Sequence, residues 1–442
     1  MSQLHNIESL YPAETREKEI SQIFSCITAG KSVQLISLPG AGRNYVLHLL
    51  LYNRDIRIHH LGSTEQLLYH FVLIPFAEIK NRSLFDVMKF IFLQLSSSLH
   101  ERRKEEEFLV VDQLFKEALS YKDELVLFQK LKDAFDYLAL EKGLHITFLL
   151  DRFETYVPHA TEEFFNNLRS LRNHAKYKFS VVFSSTRPLE DMLEPEIFSD
   201  FYEYVVDNTV YLSLEDAVGL HSRVQYLEKL TGKTIGKDNL AKLTLLTGYH
   251  GKLTRIGLEA FLAGSLTEIS QESLLRLKGI QGALKELWLF LTPDEQQDML
   301  TLCNNESCPL PSEFLQHVGL IRNQKITIPL FVAFVKMQKG DVHAKILFDS
   351  ATNTIKRGDQ VVSDMLTSSE FRLLTLLLAQ EGSIVDRETI IHAVWSDSKS
   401  QEGVSEQAID QLLLRLRKKI EDDPANPSHI QTIKGRGIKF VQ

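Results

Sequence analysis

Over the first two hundred residues the apolar positions fall in short continuous runs and not in alternation. Residues 33–37, 70–75, 145–151, 179–184 and 209–212 are such runs. Continuous apolar runs of this length predict strands buried on both faces. Between them lie segments with helical spacing or charged outer faces, at 11–24, 45–51, 83–99, 101–142 and 161–176. Strands alternating with helices predict an open, mostly parallel sheet. Residues 214–265 and 270–338 read as helical, the latter ending in an apolar alternation at 320–330. Near the C-terminus, Ile409, Leu413, Leu416 and Ile420 share one helical face, with Leu412 on its flank. Ser405 suits the N-cap and Glu406 the first turn. Gln407, Gln411, Leu414, Arg415 and Lys418 then point outward. The helix must end before Pro424, and residues 429–440 read as a hairpin turning at Lys434-Gly435-Arg436-Gly437.

A chain of 442 residues has room for two to four domains. The net charge of −8 excludes a global attractive field for nucleic acid, so any such binding needs a local basic patch. Cations concentrate at Arg415, Arg417, Lys418 and Lys419, and again at Lys434, Arg436 and Lys439. A helix with amides and cations outward, followed by a basic hairpin, suits a DNA groove and its phosphates. An amphipathic helix with a solvated face fits the same pattern equally well. The three cysteines do not make a disulfide framework and fit a reducing compartment. The polar N-terminus is unlike a signal peptide, and no apolar run reaches membrane-spanning length; we read a cytoplasmic protein without a membrane partner. His59, His60, His159 and His392 do not pair at ligand spacing and are read as structural or surface residues. No catalytic set is evident.

After the first strand run comes Ser37-Leu38-Pro39-Gly40-Ala41-Gly42-Arg43-Asn44, and then a helix. A strand, a glycine loop and a helix N-terminus is the context in which backbone N–H groups cradle phosphate. Against the pattern G-x-x-x-x-G-K-[ST], Ser37 stands for the first glycine, Arg43 for the lysine and Asn44 for the hydroxyl residue. The run 145–151 ends in Asp151, an edge carboxylate able to hold magnesium beside such a loop.

Two resemblances extend this reading. Residues from about 345 to 440 resemble the OmpR/PhoB-type winged-helix domain. They carry the small N-terminal sheet AKILFDSATNTIKRGDQVV, the helix LTSSEFRLLTLLLAQEG, the helix VDRETIIHAVW, the segment RLRKKIEDDP and the wing IQTIKGRGIKF. The family often has other residues where this chain has Leu412 and Leu414. Residues 10–265 resemble a P-loop NTPase of the STAND/Orc-like branch, with SLPGAGRN as the Walker A loop, FLLDRFE as Walker B and SSTRP as the sensor strand. LTGYHGKLTRIGLEAF would lie in its lid. Arg187 is then the phosphate-sensing cation. Arg152 stands at the second Walker B acid, with Glu154 two positions on.

The expected architecture is therefore α/β. It comprises a degenerate P-loop NTPase-like parallel sheet at 1–212, a helical lid at 213–268, a small winged-helix-like module at 269–340 and a C-terminal winged helix-turn-helix at 341–442. We expect a DNA-binding transcription regulator whose degenerate NTPase-like body acts as a sensing or regulatory platform, rather than as an enzyme. Double-stranded DNA is its partner, and a protein partner or second copy would act through the body. Gly40, Gly42, Arg43, Asn44, Asp151 and Arg187 would hold ATP or ADP, with magnesium on Asp151. Gln407, Gln411 and Arg415 would meet base edges, and Arg417, Lys418, Lys419, Lys434, Arg436 and Lys439 phosphates. The alternatives are an active ATPase that remodels DNA or protein complexes, and a non-enzymatic interaction scaffold presenting Leu412 and Leu414.

Overall fold

A computed structural model describes residues 7–79, 82–304, 308, 311–338, 346–349, 352–357, 360–395, 406–421, 424, 427–433 and 435–441. The chain divides into two compact units, 1–333 and 334–442.

The first unit is built on five strands: β1 (Val33–Ile36), β2 (Tyr69–Pro75), β3 (His145–Asp151), β4 (Phe179–Ser185) and β5 (Thr209–Tyr211). Their order is β2-β3-β4-β1-β5, and every pairing is parallel. Side chains alternate between two apolar layers, as pleated strands require. Phe148, Leu150, Val181 and Phe183 enter one core, and Leu149 and Val182 enter the other. This double burial is why the strands read as unbroken apolar runs.

One layer is formed by α1 (Glu17–Thr28), α2 (Arg43–Tyr52) and α3 (Arg54–Leu61). The other face is covered by α4 (Leu84–Glu101), α5 (Glu105–Tyr121), α6 (Glu124–Phe135) and α7 (Glu162–His174). Ser83, Asp123 and Thr161 cap α4, α6 and α7 by accepting from backbone N–H groups. The expected helix at 11–24 is displaced. A 3-10 turn at Ile7–Leu10 comes first, and α1 begins only after Arg16, which is left-handed at φ 55°. Tyr11 faces inward and packs edge-on against Tyr45 at 5.1 Å. That inward turn, invisible to periodicity, shifts the helix start.

Two short helices, α8 (Leu189–Met192) and α9 (Pro195–Tyr202), lead from β4 toward β5. Next come α10 (Ala217–Thr231), α11 (Lys237–Thr247) and α12 (Gly251–Ala263). The following segment holds α13 (Gln271–Leu275), α14 (Lys278–Phe290), α15 (Pro293–Cys303) and α16 (Glu313–His317). The alternation at 320–330 resolves into a hairpin, β6 (Ile321–Arg322) and β7 (Lys325–Ile326), and the start of α17 (Pro329–Gln338). Asn323 and Gln324 turn the hairpin at φ 49° and 60°, the positive values that two-residue hairpin loops demand.

The second unit opens with the antiparallel strands β8 (Ile346–Asp349), β9 (Thr354–Arg357) and β10 (Gln360–Val361). Helix α18 (Ser368–Ala379) starts in a capping box between Thr367 and Glu370. After β11 (Ile384–Val385) come α19 (Arg387–Val394), capped by Asp386, and α20 (Glu406–Ile420). The strands β12 (Ile430–Ile433) and β13 (Gly437–Phe440) form the terminal hairpin, and β11 joins its outer strand to give the order β11-β13-β12. Ile409, Leu412, Leu413, Leu416 and Ile420 of α20 enter the core with Leu373, Leu377, Ile430 and Phe440. Three helices with a hairpin behind the last is a winged-helix arrangement.

Candidate functional site

In the first unit, the carboxyl ends of β1 and β3 open into a cavity of about 460 Å³. Ligands of open parallel sheets bind at such an edge. The loop from Ser37 to Asn44 forms its floor, Asp151 and Arg152 one wall, and residues of α10, α12 and α14 the other walls. Gly40 and Gly42 have φ of 77° and 113°. A Cβ on Gly40 would lie 2.9 Å from both His250 and Lys252, so the tight turn and the approach of α12 both require glycine. Gly42 N-caps α2 without a side-chain hydrogen bond, which leaves first-turn N–H groups available to an anion.

The loop is tied to α12 by backbone and by histidine. The Lys252 N–H donates to the Gly40 carbonyl at 2.9 Å. His250 Nε2 lies 2.8 Å from the Pro39 carbonyl, and its Nδ1 accepts from the Leu253 N–H. These two contacts fix the neutral tautomer with the proton on Nε2. Burial, partly offset by the Pro39 bond, drives the His250 pKa down to about 4.

Six cations line the cavity, Arg16, Arg43, Arg152, Arg223, Lys252 and Arg255, against the carboxylates Asp151, Asp216 and Glu286. The surplus of positive charge favours an anionic occupant. Most of these cations are engaged: Lys252 donates to Glu286 and Arg255 to Glu259, and Arg223 donates to the Tyr11 hydroxyl at 3.2 Å. Arg43 donates to both oxygens of Glu154, at 2.7 and 3.3 Å, and Arg16 bonds the Ser213 carbonyl at 2.6 Å and pairs with Asp216 at 3.2 Å. Arg152, left-handed at φ 53°, turns the chain so that a 3-10 turn carries Glu154 back to Arg43. Burial raises the Asp151 carboxyl, with Arg43 and Arg152 opposing it.

Gly40, Gly42, Arg43, Asn44 and Asp151 thus come together around one cavity. Arg187 does not line it. Its guanidinium forms a two-pronged pair with Glu295 and lies over the rings of Phe290 and Phe314, at 4.5 and 4.0 Å from their centroids. Burial pushes Glu295 up, yet its bonds from Arg187 and the Thr292 N–H leave it below the usual carboxylate range. Arg187 is thereby committed to joining the end of β4 to α14, α15 and α16. Tyr11, Arg16, Asp216, Arg223 and Arg255 were not singled out by the sequence reading, because they reach the cavity from elements 170 or more residues from the loop or from ahead of it. Glycine spacing marks a loop, but nothing local marks the residues that close over it.

In the second unit, α20 presents Gln407, Gln411, Leu414, Arg415 and Lys418 outward, with Leu414 40% exposed. Leu412 is fully buried. An interaction surface using both leucines is therefore ruled out, since about 100° per residue carries position 412 inside when 414 is outside. Arg417 turns back instead, donating to the Ile430 carbonyl at 2.8 and 3.1 Å and to Thr432 Oγ1 at 2.8 Å. Lys419 donates to Glu370 at 2.6 Å and to the Met365 carbonyl at 2.8 Å. These two cations, expected on phosphates, brace α20 against the wing and α18. Arg436 is exposed at the hairpin turn and Lys439 is half-buried on β13. Lys434, Ser405 and the expected connection at 339–342 lie outside the described residues.

Residues 364–440 match the family described as "Transcriptional regulatory protein, C terminal". Protein PetR of Rhodobacter capsulatus is 33% identical over 96 residues, 21% of this chain and 40% of that protein. The probable transcriptional regulator ycf27 of Porphyridium aerugineum is 41% identical over 75 residues, 17% of this chain and 31% of that protein. The chain thus spans well under half of each of these relatives. Among solved structures, the Orc1 protein of Aeropyrum pernix in complex with DNA aligns with 77% of this chain and 88% of its own, at 12% identity and a TM-score of 0.35. At that score the fold of the first unit rests on its own strand order and pairing. The second unit contains a transcription-regulator DNA-binding domain of winged-helix form. Among the described residues no helix is long and apolar enough to cross a membrane.

Proposed function

We propose that the chain is a transcription regulator that docks α20 in the major groove of double-stranded DNA and sets its first unit to respond to a phosphate-bearing ligand. The observation that carries the DNA half is the outward face of α20 within a domain of the transcriptional-regulator type. Gln407, Gln411 and Arg415 have the donors and acceptors that read base edges. Lys418, Arg436 and Lys439 supply phosphate contacts, and the sequence adds Lys434 to that set. The test is retention of fragmented genomic DNA by the purified protein at two salt concentrations. Enrichment of a few sites with salt-labile binding supports the reading, and no retention at either concentration refutes it.

The body supports ligand sensing better than turnover. The glycine cradle, the uncapped start of α2 and the excess of cations fit a phosphate group. Magnesium is served less well, because Asn44 offers an amide where a hydroxyl is usual and Asp151 is held toward its protonated form by burial. Asp151 is the carboxylate that would take the metal, and Gly40, Gly42 and Arg43 would meet the phosphates of ATP or ADP. Arg43 is already partnered by Glu154, and Arg152 cannot act as a base. An ATP turnover assay, compared between the parent and Asp151→Ala, separates sensing from hydrolysis. Magnesium-dependent turnover lost in that variant favours the ATPase alternative.

A further inference from the structure

On the outer side of the helical layer, α1 and α3 bring three potential metal ligands together. Glu17 sits in the first turn of α1, and His59 and His60 in the last turn of α3. Glu17 Oε2 lies 3.2 Å from His59 Nε2 and 3.8 Å from His60 Nε2. All three donor atoms fall within 4.8 Å of one another. In a tetrahedral site with bonds of about 2.0–2.1 Å, adjacent donors stand about 3.3 Å apart. The two separations from Glu17 bracket that value, and the two histidine nitrogens lie within 4.8 Å of each other, so side-chain rotations would bring the set onto one ion.

His60 supplies the independent observation. Its side chain is 7% exposed, and its Nε2 is buried with no hydrogen-bond partner. A buried ring nitrogen without a partner is costly, and this one faces the Glu17 carboxylate. The ring is held by stacking on Phe24, with centroids 5.2 Å apart and planes 19° from parallel. The His59 ring meets it edge-on at 4.9 Å.

We propose that Glu17, His59 and His60 form a binding site for zinc that clips the start of α1 to the end of α3. Two imidazole nitrogens and one carboxylate suit zinc and neighbouring first-row divalent ions, not calcium or magnesium, which prefer oxygen donors. The fourth position stays open to water or to a donor from another molecule. The site shares no residue with the cavity around the glycine loop. Because α3 directly follows α2, bound zinc ties down the layer that carries that loop.

The experiment is zinc titration of the full chain after chelator treatment, read by calorimetry and by the thermal unfolding midpoint, with magnesium as control. The expected result is one saturable zinc equivalent and a zinc-dependent rise in the midpoint. Both are lost in Glu17→Gln/His59→Asn, a double change at half-exposed positions that leaves packing intact. His60→Gln weakens binding by about 100-fold or more, a ligand costing at least as much as an outer partner. Cobalt in place of zinc gives a visible absorption band that the double variant lacks. Equal zinc stoichiometry and affinity in the parent and the double variant, or no saturable binding in the parent, overturns the proposal.

Discussion

Lys418 and Lys419 are neighbours in sequence, yet the structure leaves one exposed and engages the other, and replacing each with methionine tests the roles proposed for them. Lys419 Nζ lies 2.6 Å from Glu370 and 2.8 Å from the Met365 carbonyl. The Glu370 side chain is 1% exposed and that of Lys419 31%. Removing the ammonium leaves the carboxylate with the Thr367 N–H at 2.8 Å and Arg415 at 4.0 Å. A hydrogen bond to a charged group contributes about 1.5–3 kcal/mol. Because a third of Lys419 faces solvent, the expected loss for Lys419→Met is about 2 kcal/mol. That amounts to a roughly thirtyfold rise in the opened population. Hydrogen exchange of the full chain reads it, as lost protection in α18 and α20. The salt slope of DNA binding stays as in the parent. Lys418→Met does the reverse: protection is unchanged, and the slope of log affinity against log salt falls by about 0.9, one phosphate contact. If Lys419→Met lowers the slope by one contact and leaves exchange untouched, the assignment of Lys419 as a brace is wrong.

Glu370 also sets a pH dependence. Its carboxyl lies below its ordinary value, burial opposing and the bonds from Lys419 and Thr367 prevailing, so its contribution is fully present above the unfolded value of about 4.3 and is lost as pH falls through the folded one. Exchange protection of α18 measured from pH 6 down to 3 therefore declines more steeply in the parent than in Glu370→Gln. In the wing, Gly437 has φ 137° and an added Cβ would lie 2.2 Å from the Val385 carbonyl; Gly437→Ala is expected to cost about 2 kcal/mol or more and to unpair β11 from β13, read by exchange in residues 384–385. On α20, Leu414→Glu leaves stability within about 0.5 kcal/mol, whereas Leu412→Ala costs about 2–5 kcal/mol by chemical denaturation. In the cavity, Glu154→Gln releases Arg43 and is expected to tighten binding of a fluorescent ATP analogue by about tenfold, worth about 1.4 kcal/mol; unchanged affinity would show that Arg43 does not meet the ligand.

Much of the architecture was legible because local pattern and burial coincide. Each of the five apolar runs became a strand of the central sheet, since strands covered on both faces admit few polar residues. The wing and the helix before it were legible for the same kind of reason: turn glycines and a 3.6-residue period are local signals. The glycine loop was marked by Gly40 and Gly42, whose positive φ few other residues tolerate. The misreadings are non-local. Periodicity began the first helix at residue 11, but Tyr11 turns inward to meet Tyr45. Arg187 and Arg417 look like free cations in the sequence, and each has partners 108 or 13–15 residues away.

The sequence by itself determined which segments pair as buried strands, which helix faces are apolar and where glycine must permit a turn, because each of these follows from a few neighbouring residues. Only the tertiary structure decided which charges are spent internally. Arg43 meets Glu154 because a left-handed Arg152 turns the chain back, and Lys419 meets Glu370 because α18 and α20 pack together. His59 and His60 show the same limit: no ligand spacing marks them, and Glu17 reaches them from 42 residues away only through the docking of α1 on α3. A charge is attracted through space and desolvated by whatever packs on it, so its role depends on neighbours that chain order does not display.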